Sequence, residues 1–429
     1  MHRWIFQTLS IALFGAISLV LAAPAEGRQA PPPGYDAYLS AKKTEIAALL
    51  PSQADGFIFW TDTHFKADGD GESSSSEIIS VLLDGIPRPK AIWGGDAITA
   101  YTNDIEKCWR AQTREFARLD KDIRLMPVRG NHDLTARESQ DVKAGYSLSP
   151  KATFKAFDAV TTKGVVRNPK DKTGLYYYYD EAETRIRYIV VDMFDRFDGT
   201  DVFWGVKADV SEKQLAWIVD EAMGKAPEGW GLVLAMHSSV GFDISVRKSY
   251  VPLAEAIETL SSRRPDLKVL LVLGGHRHHD MQIVRSGVWY VITASDVPYQ
   301  DYARSPFSPP GVQRKNGTTD EHVIDYVSIS KDMDTVSIIR IGYGSNRTYH
   351  LTPIELSVGE SIQMPSEGIK TWVAYDSAGS KYSNRKWNLS CDVAGITPDG
   401  RLFGLYAGDS TLAAIDTNGD LQFYYVKVK

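Results

Sequence analysis

Five short apolar runs, each ending abruptly in a polar motif, constrain this 429-residue chain more than any other feature. Phe57-Ile58-Phe59-Trp60 runs into Asp62-Thr63-His64, and Ala91-Ile92-Trp93 into Gly95-Asp96. Leu125-Met126-Pro127-Val128 leads to Gly130-Asn131-His132-Asp133, the run from Leu232 to Met236 leads to His237, and the run from Val269 to Leu273 leads to Gly275-His276-Arg277-His278. Continuous apolar runs of this length suit strands buried on both faces. Polar groups placed directly after such strands suit a site at the carboxyl ends of an α/β sheet.

Six of the nine histidines (64, 132, 237, 276, 278 and 279) lie in or beside these motifs. Each motif alone is weak. The ordered set supplies oxygen ligands, imidazoles and one carboxylate with two oxygens, the parts needed to hold two metal ions. Asp62 and His64 are two residues apart at a strand end, so a local turn can aim both inward, and His276 and His278 repeat that spacing. His279 reads as a supporting or surface residue. Arg129 and Arg277 admit two roles, phosphate binding and structural pairing.

Composition narrows the class. Charged residues make up 24% and hydrophobic residues 43%, with a formal charge of −6, as for a soluble globular protein. The acidic balance disfavours nucleic acid as a partner, since such binders neutralise phosphates with basic side chains. The two cysteines, Cys108 and Cys391, cannot build a disulfide framework or a cysteine-based zinc site. His2 and Arg3 followed by the apolar run Ile11 to Ala23 read as a signal peptide over residues 1–25, with cleavage expected after Ala25. The run is short of the roughly 20 apolar residues of a membrane span, so no stable span remains after cleavage. The expected location is periplasmic, secreted or on the cell surface.

Between the strands the pattern predicts helices over 36–50, 211–223 and 252–260, and later strands over 288–293, 324–329 and 336–341. Lys331-Asp332-Met333-Asp334 reads as a hairpin turn. The run Tyr176-Tyr177-Tyr178-Tyr179 reads as alternating strand packing rather than a stacking platform. Asp68 to Ser76 and residues 297–320 read as loops. The first has acids but lacks the glycine and glutamate of a calcium loop. After residue 351 short alternating runs predict a small antiparallel sandwich.

The ordered motifs resemble the calcineurin-like metallophosphoesterase family over roughly residues 52–345. That resemblance implies an α/β fold, a four-layer αββα sandwich, over residues 26–351. It implies two divalent metal ions (Mn, Fe or Zn), one held by Asp62, His64, Asp96 and His278 and the other by Asp96, Asn131, His237 and His276. It makes His132 the catalytic acid, or a group holding the phosphoryl. Relatives orient this histidine with an aspartate three residues after the bridging one. Thr99 stands there, leaving Asp104 and Asp133 as candidate partners. Purple acid phosphatases have a glycine where His64 stands and a tyrosine where Thr99 stands, so a tyrosinate-ligated iron is not expected.

Residues 352–429 resemble the bacterial immunoglobulin-like group 2 domain, through Leu356-Ser357-Val358-Gly359-Glu360-Ser361 and the close from Gly400 to Leu412. That implies a small C-terminal all-β sandwich domain open to cell-surface or carbohydrate contact. The whole reads as an exported metal-dependent phosphatase acting on a small phosphate ester. Phosphodiesterase and nucleotidase are the alternatives, and a non-catalytic adhesion protein is the contrasting class.

Overall fold

The computed structural model describes residues 34–64, 75–98, 105–133, 149–196, 209–243, 250–296, 314–315, 317–376, 381–383, 386–388 and 392–429. The expected signal peptide, the segment 68–74, Thr99, Tyr101, Asp104 and most of the 297–320 loop lie outside them, as do the side chains of Cys108 and Cys391.

The motif-bearing runs form strands as their composition dictates. Gln53–Trp60, Lys90–Trp93 and Arg124–Pro127 lie side by side and parallel. They end a nine-stranded sheet whose remaining strands, moving outward, are Val323–Ser330, Thr335–Gly342, Arg347–Leu356, Leu421–Val428, Gly408–Asp416 and Ile369–Asp376. A second sheet of seven runs in the order Val166–Arg167, Tyr177–Glu181, Ile186–Val190, Gly231–Ala235, Lys268–Gly274, Val288–Ile292, Met281–Arg285. Ile186–Val190 through Val288–Ile292 are parallel neighbours.

Alternation along each strand feeds two layers at once. Phe57 and Phe59 point between the sheets, where they join Tyr188, Val233, Leu271, Trp289 and Val327 in the central core. Ile58 and Trp60 point outward into a layer containing helices Tyr35–Leu49, Ser75–Leu83, Ile105–Phe116 and Pro150–Asp158. The far face of the second sheet packs on Glu212–Trp217, its π-helical continuation Ile218–Met223, and Val251–Glu258. The layers are therefore helix, sheet, sheet, helix, the expected α/β sandwich. The tyrosine run alternates as its strand requires: Tyr177 enters the central core, and Tyr176 and Tyr178 the outer layer.

The C-terminal region is β-rich and joins the first sheet. The expected boundary between residues 351 and 352 falls inside the continuous strand Arg347–Leu356. That strand pairs with Thr335–Gly342 on one side and, in parallel, with Leu421–Val428 on the other. One face of the tail strands adds Tyr375, Ala413, Phe423 and Tyr425 to the central core. The other face builds a smaller core, from Leu356, Trp372, Leu402, Leu412 and Val426, with a three-stranded sheet of Ser361–Gln363, Arg401–Gly404 and Ala394–Ile396. The tail is thus β-rich, with Ile369–Asp376, Gly408–Asp416 and Leu421–Val428 in a sheet shared with residues before 351.

Candidate metal centre

All motif residues emerge from the carboxyl ends of parallel strands, and backbone bonds lock neighbouring loops together. The Asp62 N–H donates to Gly95 O at 2.9 Å and the His64 N–H to Asp96 O at 3.0 Å. Five of these residues carry left-handed backbone: Asp62 (φ 55°), His64 (45°), Asp96 (53°), His276 (71°) and His278 (58°). Each such non-glycine conformation costs about 1–3 kcal/mol and persists only where surroundings enforce it. Both two-residue spacings therefore work alike. A left-handed residue, one spacer and a second left-handed residue turn two side chains toward the same point. Glycine is needed at 130 because a Cβ there would run into the Asp96 carboxylate.

The side chains converge on two overlapping clusters. Ligand atoms of Asp62, His64, Asp96 and His278 lie within 4.8 Å of one another, as do those of Asp96, His237 and His276. Asp96 belongs to both. The His64 and His278 Nε2 atoms face each other at 3.1 Å. His278 Nε2 is 3.2 Å from Asp62 Oδ1, and His237 Nε2 is 3.0 Å from Asp96 Oδ2. Asn131 joins the second group with its Oδ1 2.9 Å from His276 Nδ1. Most of these side chains are fully buried, with only His276 partly open.

This donor set fits two divalent ions. His237 donates through Nδ1 to the Gly94 carbonyl at 2.8 Å, so Nε2 is the nitrogen that faces the carboxylates and would meet an ion there. That buried Nε2 has no hydrogen-bond partner of good geometry. Imidazole nitrogens crowded against carboxylate oxygens are what a nitrogen- and oxygen-liking cation such as manganese, iron or zinc draws together. Burial opposes a charge on His237, but Asp96 and Asp62 push its pKa up to about 10, so the ring holds a proton that a bound ion would displace. Burial alone would raise the Asp62 carboxyl, but the His237 and His278 imidazoles offset it and hold the group at about 2. Asp96 is depressed in the same way, by His237 and His132 against its burial. Both stay anionic, as ligands must.

His132 stands at the edge of the cluster, its Nε2 3.8 Å from Asp96 Oδ2 and its ring edge-on to His64 at 4.6 Å. Burial, helped by the His237 and His278 imidazoles, lowers its pKa against the pull of Asp96. Of its two candidate partners, Asp104 lies outside the described residues. Asp133 does not orient the ring, because its carboxylate is spent on the backbone N–H groups of Asp96 (3.1 Å), Ala97 (2.8 Å) and Gly130 (2.6 Å). Asp133 thus corrects the sequence expectation: it fixes the loops that carry Asp96 and Asn131, and His132 only through them.

Other expectations resolve by contact. Arg129 is not available for phosphate. Its guanidinium is buried and grips Asp192 through two bonds, of 2.8 and 2.5 Å. Asp192 is braced in turn by Gln214, which accepts its N–H at 2.9 Å. His279 is a buried support, its Nδ1 donating to Arg277 O at 2.5 Å. Sequence reasoning missed Thr61, whose hydroxyl donates to Asp62 Oδ2 at 2.8 Å, and Ser295, whose hydroxyl holds Asp62 O at 2.8 Å. Thr61 sits beside a ligand and could have been suspected; Ser295 carries no such local signal.

The sequence pattern of the calcineurin-like phosphoesterase family matches residues 57–280, more than half of the chain, and the protein belongs to that family. It is a metal-dependent hydrolase of phosphoric esters. Similar solved structures include a dimetal phosphatase from Danio rerio, 14% identical over 70% of this chain and 100% of that one, with a TM-score of 0.49. A 5'-nucleotidase precursor from Thermus thermophilus is 15% identical over 68% of this chain and 54% of its own, with a TM-score of 0.37. A phosphopantetheinyl hydrolase from Mycobacterium tuberculosis is 12% identical over 60% of this chain and 98% of its own, with a TM-score of 0.32. No curated protein matches the chain.

Proposed function

We propose that the protein is an exported dinuclear phosphatase acting on a small phosphate ester. The observation that carries this reading is the pair of buried clusters sharing Asp96. Asp62, His64, Asp96 and His278 would hold one ion, and Asp96, Asn131, His237 and His276 the other. When bound, such a pair of ions supplies Lewis acidity and a nucleophilic water for in-line attack at phosphorus. The chain's own residues do the rest. Asp96 places one carboxylate between both groups. Buried ligands around it exclude bulk water, which strengthens every charge interaction at the reacting centre. His132, beside Asp96 but in neither set, delivers a proton to the leaving alkoxide or holds the phosphoryl oxygen.

Export rests on the basic start, the short apolar run and Ala23-Pro24-Ala25. Among the described residues no helix is long and apolar enough to cross a membrane. The tail's immunoglobulin-like reading rests on its opening and closing motifs and gives a route to cell-surface or carbohydrate contact. The acidic composition argues against nucleic acid as substrate. Metal analysis coupled to rates on paired monoesters and diesters of the same alcohol tests the reading. Two bound ions with faster monoester turnover supports it, and faster diester turnover turns it to phosphodiesterase. Bound metal without turnover of either overturns it in favour of a non-catalytic binding protein.

A further inference from the structure

Just past the motif carrying His276 and His278 stands Asp280, which leads into a buried charge cage whose other members, Asp325, Arg340 and Arg347, lie far downstream in sequence. Arg340 donates to it through two nitrogens, Nη2 to Asp280 Oδ1 at 2.8 Å and Nη1 to Asp280 Oδ2 at 3.0 Å. Arg347 Nη1 adds a third bond to Oδ1, at 3.2 Å. Both arginines also hold Asp325: Arg340 through Nε at 2.7 Å, and Arg347 through Nη2. Both guanidiniums and Asp325 are almost wholly buried. Two cations and two anions thus close a neutral square between the sheets.

Two features place this square under one half of the metal centre. Asp280 stands two residues after His278, whose left-handed backbone needs enforcement from both ends of the loop. The start of that loop is fixed by strand Lys268–Gly274 and the cage fixes its end. The cage also holds the segment after Val288–Ile292. Thr293 Oγ1 donates to Asp325 Oδ2 at 2.8 Å and Ala294 N to Asp280 Oδ1 at 3.1 Å. The next residue, Ser295, holds Asp62 O at 2.8 Å. Asp62 and His278, which approach each other to 3.2 Å, are therefore both tied to the same four charges.

The tail grips the cage from two sides. Arg347 opens the strand paired with Leu421–Val428, with Arg347 opposite Leu421. On the other side, the strand that follows Asp280 is held by tail residues: Tyr375 OH donates to Gln282 O at 3.0 Å, and Val284 N to Thr411 Oγ1 at 3.3 Å. We propose that Asp280, Arg340 and Arg347 are positioning residues for the ion held by Asp62 and His278, and that the C-terminal strands, by clamping this cage, are part of the catalytic unit. The inference rests on the dinuclear phosphoesterase reading.

Full-length Asp280→Asn and Arg347→Lys are compared with wild type by Co2+ titration, following binding stoichiometry, affinity and the visible absorption of the bound ion. Asp55→Asn serves as control. It breaks another buried pair, Asp55 with Lys90 Nζ at 2.7 Å, at the opposite ends of the strands. Groups that orient metal ligands typically change affinity by about 10–100-fold. Asp280→Asn is expected to weaken one of the two Co2+ ions by that factor and shift its absorption, leaving the other near wild type. Arg347→Lys, keeping the charge, should fall between. Asp55→Asn should lower thermal stability without moving the spectrum. Asp280→Asn with wild-type affinity and spectrum overturns the inference alone, as does an equal spectral change in Asp55→Asn. A wild-type chain that takes up no Co2+ overturns the underlying reading together with it.

Discussion

Asp133 Oδ2 accepts the backbone N–H of Asp96 at 3.1 Å, so the last residue of one motif holds the backbone of the carboxylate shared by both metal clusters. The same carboxylate takes Ala97 and Gly130 N–H, while Trp109 Nε1 fixes the Asp133 carbonyl at 2.7 Å. Three donors converge on two oxygens inside a fully buried pocket. Asparagine has the same shape but turns two N–H donors toward them. Asp133→Asn should therefore leave at least one buried donor unsatisfied, costing about 1–3 kcal/mol of stability. Because the strained Asp96 turn loses its support, metal content and kcat should fall together, by about 10–100-fold. Denaturant unfolding, metal analysis and initial rates check this. Unchanged metal content would show that Asp96 holds its place without the strut.

Asp96→Asn tests the shared position itself. Oδ1 already accepts the His132 N–H at 2.7 Å and Oδ2 faces His237 Nε2 at 3.0 Å, so both oxygens are in use. An amide removes the negative charge and replaces one acceptor with a donor. Both metals should bind more weakly, and turnover should drop by at least about 10²-fold, the upper end for groups that only support ligands. Elemental analysis and rates decide it. Two retained ions with near-normal turnover would end the dinuclear assignment.

The strands and the gathering of the motif side chains at their ends were legible because their causes are local. Phe57 to Trp60 is apolar throughout since both faces of its strand are buried, and the ligands follow such runs directly. The supports were not legible. Asp280 meets Arg340 and Arg347 across 60 and 67 residues, and nothing near Asp280 marks it as paired. Arg129 admitted two readings until Asp192, 63 residues away, took both of its bonds. Ser75 and Ser76 read as loop because serine is a weak helix former. They open a buried helix instead, where the Ser75 hydroxyl donates to Asp296. The tail's strands could be read from alternation, but not its sheet. Which neighbours Arg347–Leu356 would take depends on pairing over more than 70 residues.

Two buried groups away from the metal ligands make stability fall toward alkaline pH. Burial and the nearby Glu77 push the Glu115 carboxyl up from 4.5 to about 7, against the pull of Arg118. The folded state thus binds this proton more tightly than the unfolded state. Stability from it is complete below pH 4.5 and is lost as pH rises to about 7, at about 1.4 kcal/mol per pH unit. His322, buried against Asp296 at 3.1 Å, also has a raised pKa: burial opposes protonation and Asp296 overcomes it. Its contribution is present below 6.5 and disappears as pH rises through the folded value. Glu115→Gln should therefore stabilise the protein at pH 8 relative to wild type and have little effect at pH 4. Urea unfolding at the two pH values checks it, and an equal effect at both would place the raised carboxyl elsewhere.

His132→Ala separates proton transfer from positioning. The ring lies 3.8 Å from Asp96 Oδ2 and belongs to neither metal cluster, so its removal should leave both ions bound. Burial keeps the imidazole below its ordinary pKa, so at neutral pH it must gain a proton before it can donate one. General acid help is worth about 10²–10⁴-fold and matters most when the leaving group is poor. The rate loss should be large for an alkyl phosphate and much smaller for an activated aryl phosphate, whose leaving oxygen needs no proton. Losses of equal size on both substrates would mean that His132 holds the phosphoryl group instead. Loss of a metal ion in this variant would make His132 a ligand and redraw the division of roles among the five histidines around Asp96.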